Sequence, residues 1–278
     1  YHFYEKKIRH GKKLFRIFLL ISSIIILYLN FYNFSGKQNN YFQDKFLKDR
    51  SLRYKIKEVP IKNDTRNAIF FIGDSFADDL HNALAMDSYQ IEGKTVQKIH
   101  IDTICYNSNH RRPWLGRIKN KTGTCENQKE KLREILNRNQ PKVIILVNHW
   151  KDQNYKLVID ALKLINTSTK TKTKIIIVGM RDTFKEYDKI FSRNIDSASI
   201  NKDFYNHRKK IEQINNFLKK ISNQYSIHFF QPINPCDLSK LKCEVIDEDS
   251  QEIKYLDYSH YTVGYAVKIM NEIKKILK

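Results

Sequence analysis

Asn67-Ala68-Ile69-Phe70-Phe71-Ile72-Gly73-Asp74-Ser75 is the stretch on which the fold turns. A short continuous apolar run ends in Gly-Asp-Ser, and Ala77 to Ala85 follows with Leu80, Ala83 and Leu84 at helical spacing. That order predicts a buried strand, a sharp turn at Gly73 and a helix. A serine at such a junction stands at the carboxyl edge of a sheet, where open α/β folds hold their ligands, and beside helix N–H groups that can stabilise an oxyanion. The alternative for Asp74 or Ser75 is a helix cap, favoured for hydrogen bonding alone.

Outward from this point the pattern alternates. Lys94 to Ile101 predicts a strand, Glu126 to Asn139 a helix, Val143 to Val147 a strand and Tyr155 to Ile165 a helix. Lys174 to Gly179 is another buried strand. Asp203 to Ser222 carries Ile211, Ile214, Phe217, Leu218 and Ile221 on one helical face, and Ser226 to Phe230 is a last core strand. Alternating strands and helices imply a parallel sheet covered on both sides, a flavodoxin-like three-layer αβα sandwich. There is no internal repeat and no Gly-rich phosphate loop.

The other end of the chain supplies a second block. Tyr255-Leu256-Asp257-Tyr258-Ser259-His260-Tyr261-Thr262 leads into Val263 to Leu277, whose Val263, Val267, Ile269, Met270, Ile273 and Ile276 predict an amphipathic helix packed on the sheet. Asp257 and His260, three residues apart, can lie close enough for the carboxylate to fix the imidazole tautomer, leaving the far ring nitrogen to take a proton from Ser75. The competing reading makes Asp257 or Thr262 a helix cap and His260 a surface histidine. Taken together, the two blocks hold a nucleophile, a base and a carboxylate to orient the base, the set that acyl-ester chemistry at a serine requires.

With Gly-Asp-Ser after the first core strand and Asp-x-x-His before the last helix, residues 66–278 resemble the SGNH (GDSL-like) hydrolase superfamily. The resemblance implies Ser75 as nucleophile, His260 as general base and Asp257 as its orienting acid. It also implies an asparagine oxyanion donor after a central strand, for which Asn148 is the candidate beside the Ser75 N–H. The family's Gly-x-Asn-Asp is replaced here by Asn148-His149-Trp150 with no such glycine, and no glycine donor lies near Ile104 to Trp114. Tyr1-His2-Phe3-Tyr4-Glu5-Lys6-Lys7-Ile8-Arg9 is similar to the aromatic-Glu-x-Pro-x-Arg segment of acyltransferase-3 proteins, with Lys7 in place of proline. In the acetyltransferases of that family such a segment precedes a last membrane helix, a linker and an SGNH domain, often with histidine where this chain has Phe76. The resemblance implies an O-acyltransferase of a cell-surface polysaccharide, with acetyl-CoA as ultimate donor and an acyltransferase-3 membrane domain before Tyr1; the sequence itself implies no tightly bound cofactor and no metal. An exported carbohydrate esterase with the same triad is the alternative, and a non-catalytic envelope domain is a third reading.

The chain has 278 residues, room for one α/β domain and an appendage. The appendage is Ile17 to Phe34, an uncharged run about long enough to span a bilayer, preceded by Lys6, Lys7, Arg9, Lys12, Lys13 and Arg16. Residues 1–16 are then cytoplasmic, 17–34 a transmembrane helix and 35–65 a linker or stalk. The domain at 66–278 would face the extracytoplasmic, periplasmic side. A cleaved signal peptide is the competing reading, against which stand the length of the run and the absence of a small-x-small site. The initial tyrosine suits a piece of a longer chain.

Four cysteines fit an exported domain: Cys105 with Cys125 and Cys236 with Cys243 are the natural local bridges, free thiols being the alternative under a different topology. Spacing disfavours zinc. The net charge of +20 invites nucleic acid. It is scattered along the chain and partly membrane-flanking, so a source-wide bias toward lysine, or a basic face toward an anionic envelope, explains it better. Trp114 and Trp150 could line a sugar site, with core tryptophan the default. His149 could point into the cleft, a structurally satisfied histidine being the default, and Arg111-Arg112 and Arg181-Asp182 fall on loops that could flank the sheet's carboxyl edge, with solvated surface charge as the default.

Overall fold

Side chains alternate between the two faces of a strand, so five consecutive buried residues require cover on both faces. Ile69–Gly73 (β1) and Val143–Val147 (β3) are buried throughout, and they pair in parallel at the heart of a five-stranded sheet. Val96–His100 (β2) lies outside β1. Lys174–Val178 (β4) and His228–Phe230 (β5) extend the sheet beyond β3, giving the order β2-β1-β3-β4-β5 with every pairing parallel. The computed structural model describes residues 22–23, 26, 68–86, 96–106, 125–150, 155–170, 173–183, 197–233, 236–237, 242–243, 254–255 and 259–277.

The α-helices described from end to end are Ser75–Met86 (α1), Cys125–Asn139 (α2), Tyr155–Ser168 (α3), Ser197–Gln224 (α4) and Val263–Leu277 (α5). α1 packs along α5, α2 on α3, and α3 on α4. This is the expected α/β sandwich, with element ends shifted by a few residues. α4 is the main difference: it begins at Ser197 rather than Asp203, because its first turns are polar and give no apolar stripe to read. The turn expected between Cys236 and Cys243 is a small antiparallel ribbon, Cys236–Asp237 (β6) on Lys242–Cys243 (β7), with Cys236 directly opposite Cys243.

The strand order places a switch point between β1 and β3: from β1 the chain runs outward to β2, then returns to build the sheet on the other side. Loops leaving the carboxyl ends of β1 and β3 diverge there, and the resulting crevice is where open α/β sheets bind ligands. Gly73 closes β1 at this point with φ +156°, and a Cβ on it would sit 1.7 Å from the Val147 carbonyl oxygen. No other residue fits so close to the neighbouring strand.

Two compact units divide the chain, Tyr1–Arg50 and Ser51–Lys278. In the first, Ser22, Ser23 and Ile26 are described, and all three are helical. The rest of the expected membrane segment and the stalk at 35–65 lie outside the described residues. No helix among the described residues is long and apolar enough to cross a membrane.

Candidate active site

The turn after β1 builds the site. Asp74 caps α1: its Oδ1 accepts the Phe76 N–H at 3.0 Å, and its carbonyl accepts the Ala77 N–H at 2.9 Å. The capping and catalytic readings of Gly-Asp-Ser are therefore compatible, since Asp74 caps while Ser75 is left to face the crevice. Asp74 does more than cap. Its Oδ2 accepts the His149 N–H at 2.8 Å and the Thr103 hydroxyl at 2.7 Å, which ties the β1 turn to the loops after β3 and β2.

Ser75 Oγ lies 2.9 Å from His260 Nε2, although 185 positions separate them in sequence. His260 is brought there by a folded-back segment: Tyr255 and Tyr261 form an antiparallel bridge, and the Thr262 N–H donates to the Lys254 carbonyl at 3.1 Å. Thr262 then starts α5, its Oγ1 accepting the Tyr265 N–H at 3.4 Å, so the capping role considered for this block falls to Thr262. Asp257 lies outside the described residues.

Asn148 is 1% exposed and follows β3 directly. Its Oδ1 is 3.4 Å from the Thr103 hydroxyl and its Nδ2 donates to Tyr106 Oη at 3.5 Å, both at the outer limit of hydrogen bonding. The amide has donor capacity left over. The Ser75 N–H is one of the first N–H groups of α1 and has no acceptor within its helix. Burial pushes the Tyr106 hydroxyl well above its ordinary pKa, which keeps it a neutral partner for Asn148.

Other candidates sort cleanly. The His149 ring stacks on Phe76 with centroids 4.9 Å apart, and Phe76 meets the His260 ring edge-on at 5.9 Å. Trp150 is buried with its Nε1–H donated to the Val178 carbonyl at 3.3 Å, the core placement expected by default. Arg181 and Asp182 correct the surface-charge reading: both are buried, Arg181 donating to Asp79 and Asp182 accepting from Arg208 Nη1 at 2.9 Å. Cys105 and Cys125 form a disulfide. Trp114, Arg111 and Arg112 lie outside the described residues.

Thr103, Tyr106 and Asp79 were not singled out from sequence as contributors to a site, and Arg181 was noted near the sheet edge but read as surface charge. Of the first three, Asp79 carried a signal, as a carboxylate one helical turn beyond Ser75 and Phe76 in a helix otherwise rich in buried side chains.

A serine at the carboxyl edge of a parallel sheet, hydrogen-bonded to a histidine that enters from the segment before the last helix, defines the class of serine–histidine α/β acyl-transfer domains. Residues 43–275 match the family described as "SGNH domain (fused to AT3 domains)", and the chain belongs to that family. No curated protein matches it in sequence. Among solved structures it is similar to the periplasmic domain of a lipopolysaccharide acetyltransferase from Salmonella ser. Paratyphi A. That likeness is at 18% identity and TM-score 0.58, covering 85% of this chain and 97% of that one. A weaker likeness is to the C-terminal catalytic domain of Streptococcus pneumoniae peptidoglycan O-acetyltransferase A, at 15% identity and TM-score 0.38, covering 77% of this chain and 93% of that one.

Proposed function

We propose that this chain is the extracytoplasmic part of a membrane-tethered O-acyltransferase, most naturally an O-acetyltransferase, that modifies a cell-surface polysaccharide. The observation that carries the proposal is the 2.9 Å contact between Ser75 Oγ and His260 Nε2 at the switch point of the sheet. Membership of a family of SGNH domains fused to AT3 domains supports an acyltransferase-3 membrane domain as donor partner, and the fold shared with the lipopolysaccharide acetyltransferase domain suggests the acceptor class. Acetyl-CoA would be the ultimate donor substrate, consumed by that partner rather than by the residues described here.

His260 Nε2 takes the hydroxyl proton as Ser75 Oγ attacks the acyl carbonyl. The carbonyl oxygen becomes an oxyanion, held by the Ser75 N–H and the spare Asn148 Nδ2–H. As the intermediate collapses, the proton on His260 passes to the leaving group and Ser75 is left as an ester. A sugar hydroxyl then gives its proton to His260 and attacks the ester carbonyl. Collapse returns that proton to Ser75 Oγ and releases the acylated glycan. Asp257, by its place in Asp-x-x-His, would accept from Nδ1 and hold the ring in the working tautomer.

The test is acyl release from p-nitrophenyl acetate by the full chain in mild detergent, wild type beside Ser75→Ala and His260→Ala, with and without surface glycan from the source cells. We expect each substitution to lower kcat by about 10³-fold or more, and added glycan to divert the acetyl group from water to sugar. Serine-dependent release of free acetate alone would favour the esterase. Turnover that survives Ser75→Ala would overturn both enzymatic readings.

A further inference from the structure

Arg181, just past β4, and Asp79, on α1, are each only 3% exposed. Removing a guanidinium from water costs several kcal/mol unless its partners compensate closely, so the arrangement around this one is informative. Arg181 Nη2 donates to Asp79 Oδ2 at 2.5 Å. Its guanidinium carbon lies 3.7 Å from the centroid of the Phe76 ring and 4.1 Å from that of Tyr261, so the flat cation is sandwiched between two aromatic rings. Asp79 Oδ2 also accepts the Tyr261 N–H at 3.2 Å.

The two rings are the immediate chain neighbours of the reacting groups: Phe76 follows Ser75 and Tyr261 follows His260. One ion pair therefore holds the residue after the nucleophile and the residue after the base. Phe76 also bears on the reacting histidine directly, touching the His260 ring edge-on, and its stack on His149 brings in the loop that carries Asn148. A pair built only for stability could sit anywhere in the core, whereas this one grips both sides of the Ser75–His260 contact.

We infer that Arg181 and Asp79 are positioning residues that set the distance and angle between Ser75 Oγ and His260 Nε2. The inference rests on the proposed catalytic role of those two residues. A displacement of about 1 Å in such a pair can cost about 100-fold in rate. Arg181→Lys keeps the charge opposite Asp79 but has no plane to fill the gap between Phe76 and Tyr261. The double variant Arg181→Met/Asp79→Asn removes both charges together and leaves no lone buried ion.

Two readouts are needed on the full chain in detergent: kcat and KM with p-nitrophenyl acetate, and the rate of Ser75 sulfonylation by phenylmethylsulfonyl fluoride, followed by intact mass. Wild type should turn over and label, and Ser75→Ala should do neither. Folded Arg181→Lys should lose about 10- to 100-fold in kcat with KM within about twofold, its sulfonylation slowing in parallel, and the double variant should fall at least as far. An active wild type beside folded variants that keep wild-type kcat and labelling, or that change KM alone, overturns the inference and leaves the proposed function standing. Failure of both variants to fold would make the pair a folding element and overturn it as well. A wild type with no Ser75-dependent turnover or labelling would sink the functional reading and the inference with it.

Discussion

Asp74→Asn is the substitution that tests most directly how the site is built. The Asp74 carboxylate accepts three hydrogen bonds, from Phe76 N–H, His149 N–H and the Thr103 hydroxyl. Asparagine keeps one acceptor oxygen and turns the other position into a donor. Its better orientation points the oxygen at His149 and Thr103, which sets the new NH₂ against the Phe76 N–H. The helix cap is then lost: the part-buried Phe76 N–H has no acceptor and faces a second donor, which together cost up to about 3 kcal/mol. A loss of about 3 kcal/mol is a large share of a total stability of about 5–15 kcal/mol. Thermal unfolding of the full chain in detergent, followed by far-UV circular dichroism, should show a fall in Tm of about 10 °C. Thr103→Val, which removes one donor and leaves the carboxylate two, should cost about 1 kcal/mol. An Asp74→Asn protein within about 0.5 kcal/mol of wild type would show that the carboxylate does not join these loops.

Gly73→Ala should be worse, because its Cβ meets the Val147 carbonyl oxygen at 1.7 Å; we expect a loss of more than about 3 kcal/mol, seen as failure to recover folded protein on expression. Reducing the Cys105–Cys125 disulfide, which closes 20 residues of sequence separation, should lower stability by about 3 kcal/mol, measured as the Tm difference with and without dithiothreitol. His81, buried in α1 with Lys98 nearby, has its pKa pushed down to about 4, burial being the main cause. The unfolded chain takes that proton near pH 6.5 and the folded one refuses it until about pH 4, so stability is lost as pH falls through this window. Between pH 7 and 5 the loss is about 2 kcal/mol. His100 acts in the opposite sense: the neighbouring Asp78 raises its pKa, so its contribution is full below pH 6.5 and fades as pH rises. Urea midpoints at pH 7 and 5 for wild type beside His81→Leu isolate the His81 term, and equal pH dependence in the two would refute it.

The parallel sheet was legible because its strands are buried on both faces, and that burial writes itself as uninterrupted runs such as Ile69–Ile72 and Val143–Val147. Helices with a single apolar stripe, such as α5, were legible for the same kind of reason. The polar start of α4 and the two-residue strands β6 and β7 have no periodicity to read. At the site, Gly-Asp-Ser and Asp-x-x-His pointed to Ser75 and His260, which the fold brings into hydrogen-bond contact. The threefold use of Asp74 and the burial of Arg181 were not legible, because they join residues 74 with 103 and 149, and 181 with 76 and 261, across distances in sequence that no local pattern encodes.

The separation of Ser75 from His260 also bears on timing. Ser75 leaves the ribosome some 185 residues ahead of the histidine that meets it. The sheet must close through β5 and α5 must settle against α1 before the two can touch. On the proposed mechanism, a chain caught partway through synthesis carries an idle serine, and reactivity appears only when the final helix has docked. Assembly of the pair is in this sense a completion signal, and any cut that removes the last segment leaves Ser75 without its hydrogen-bond partner His260.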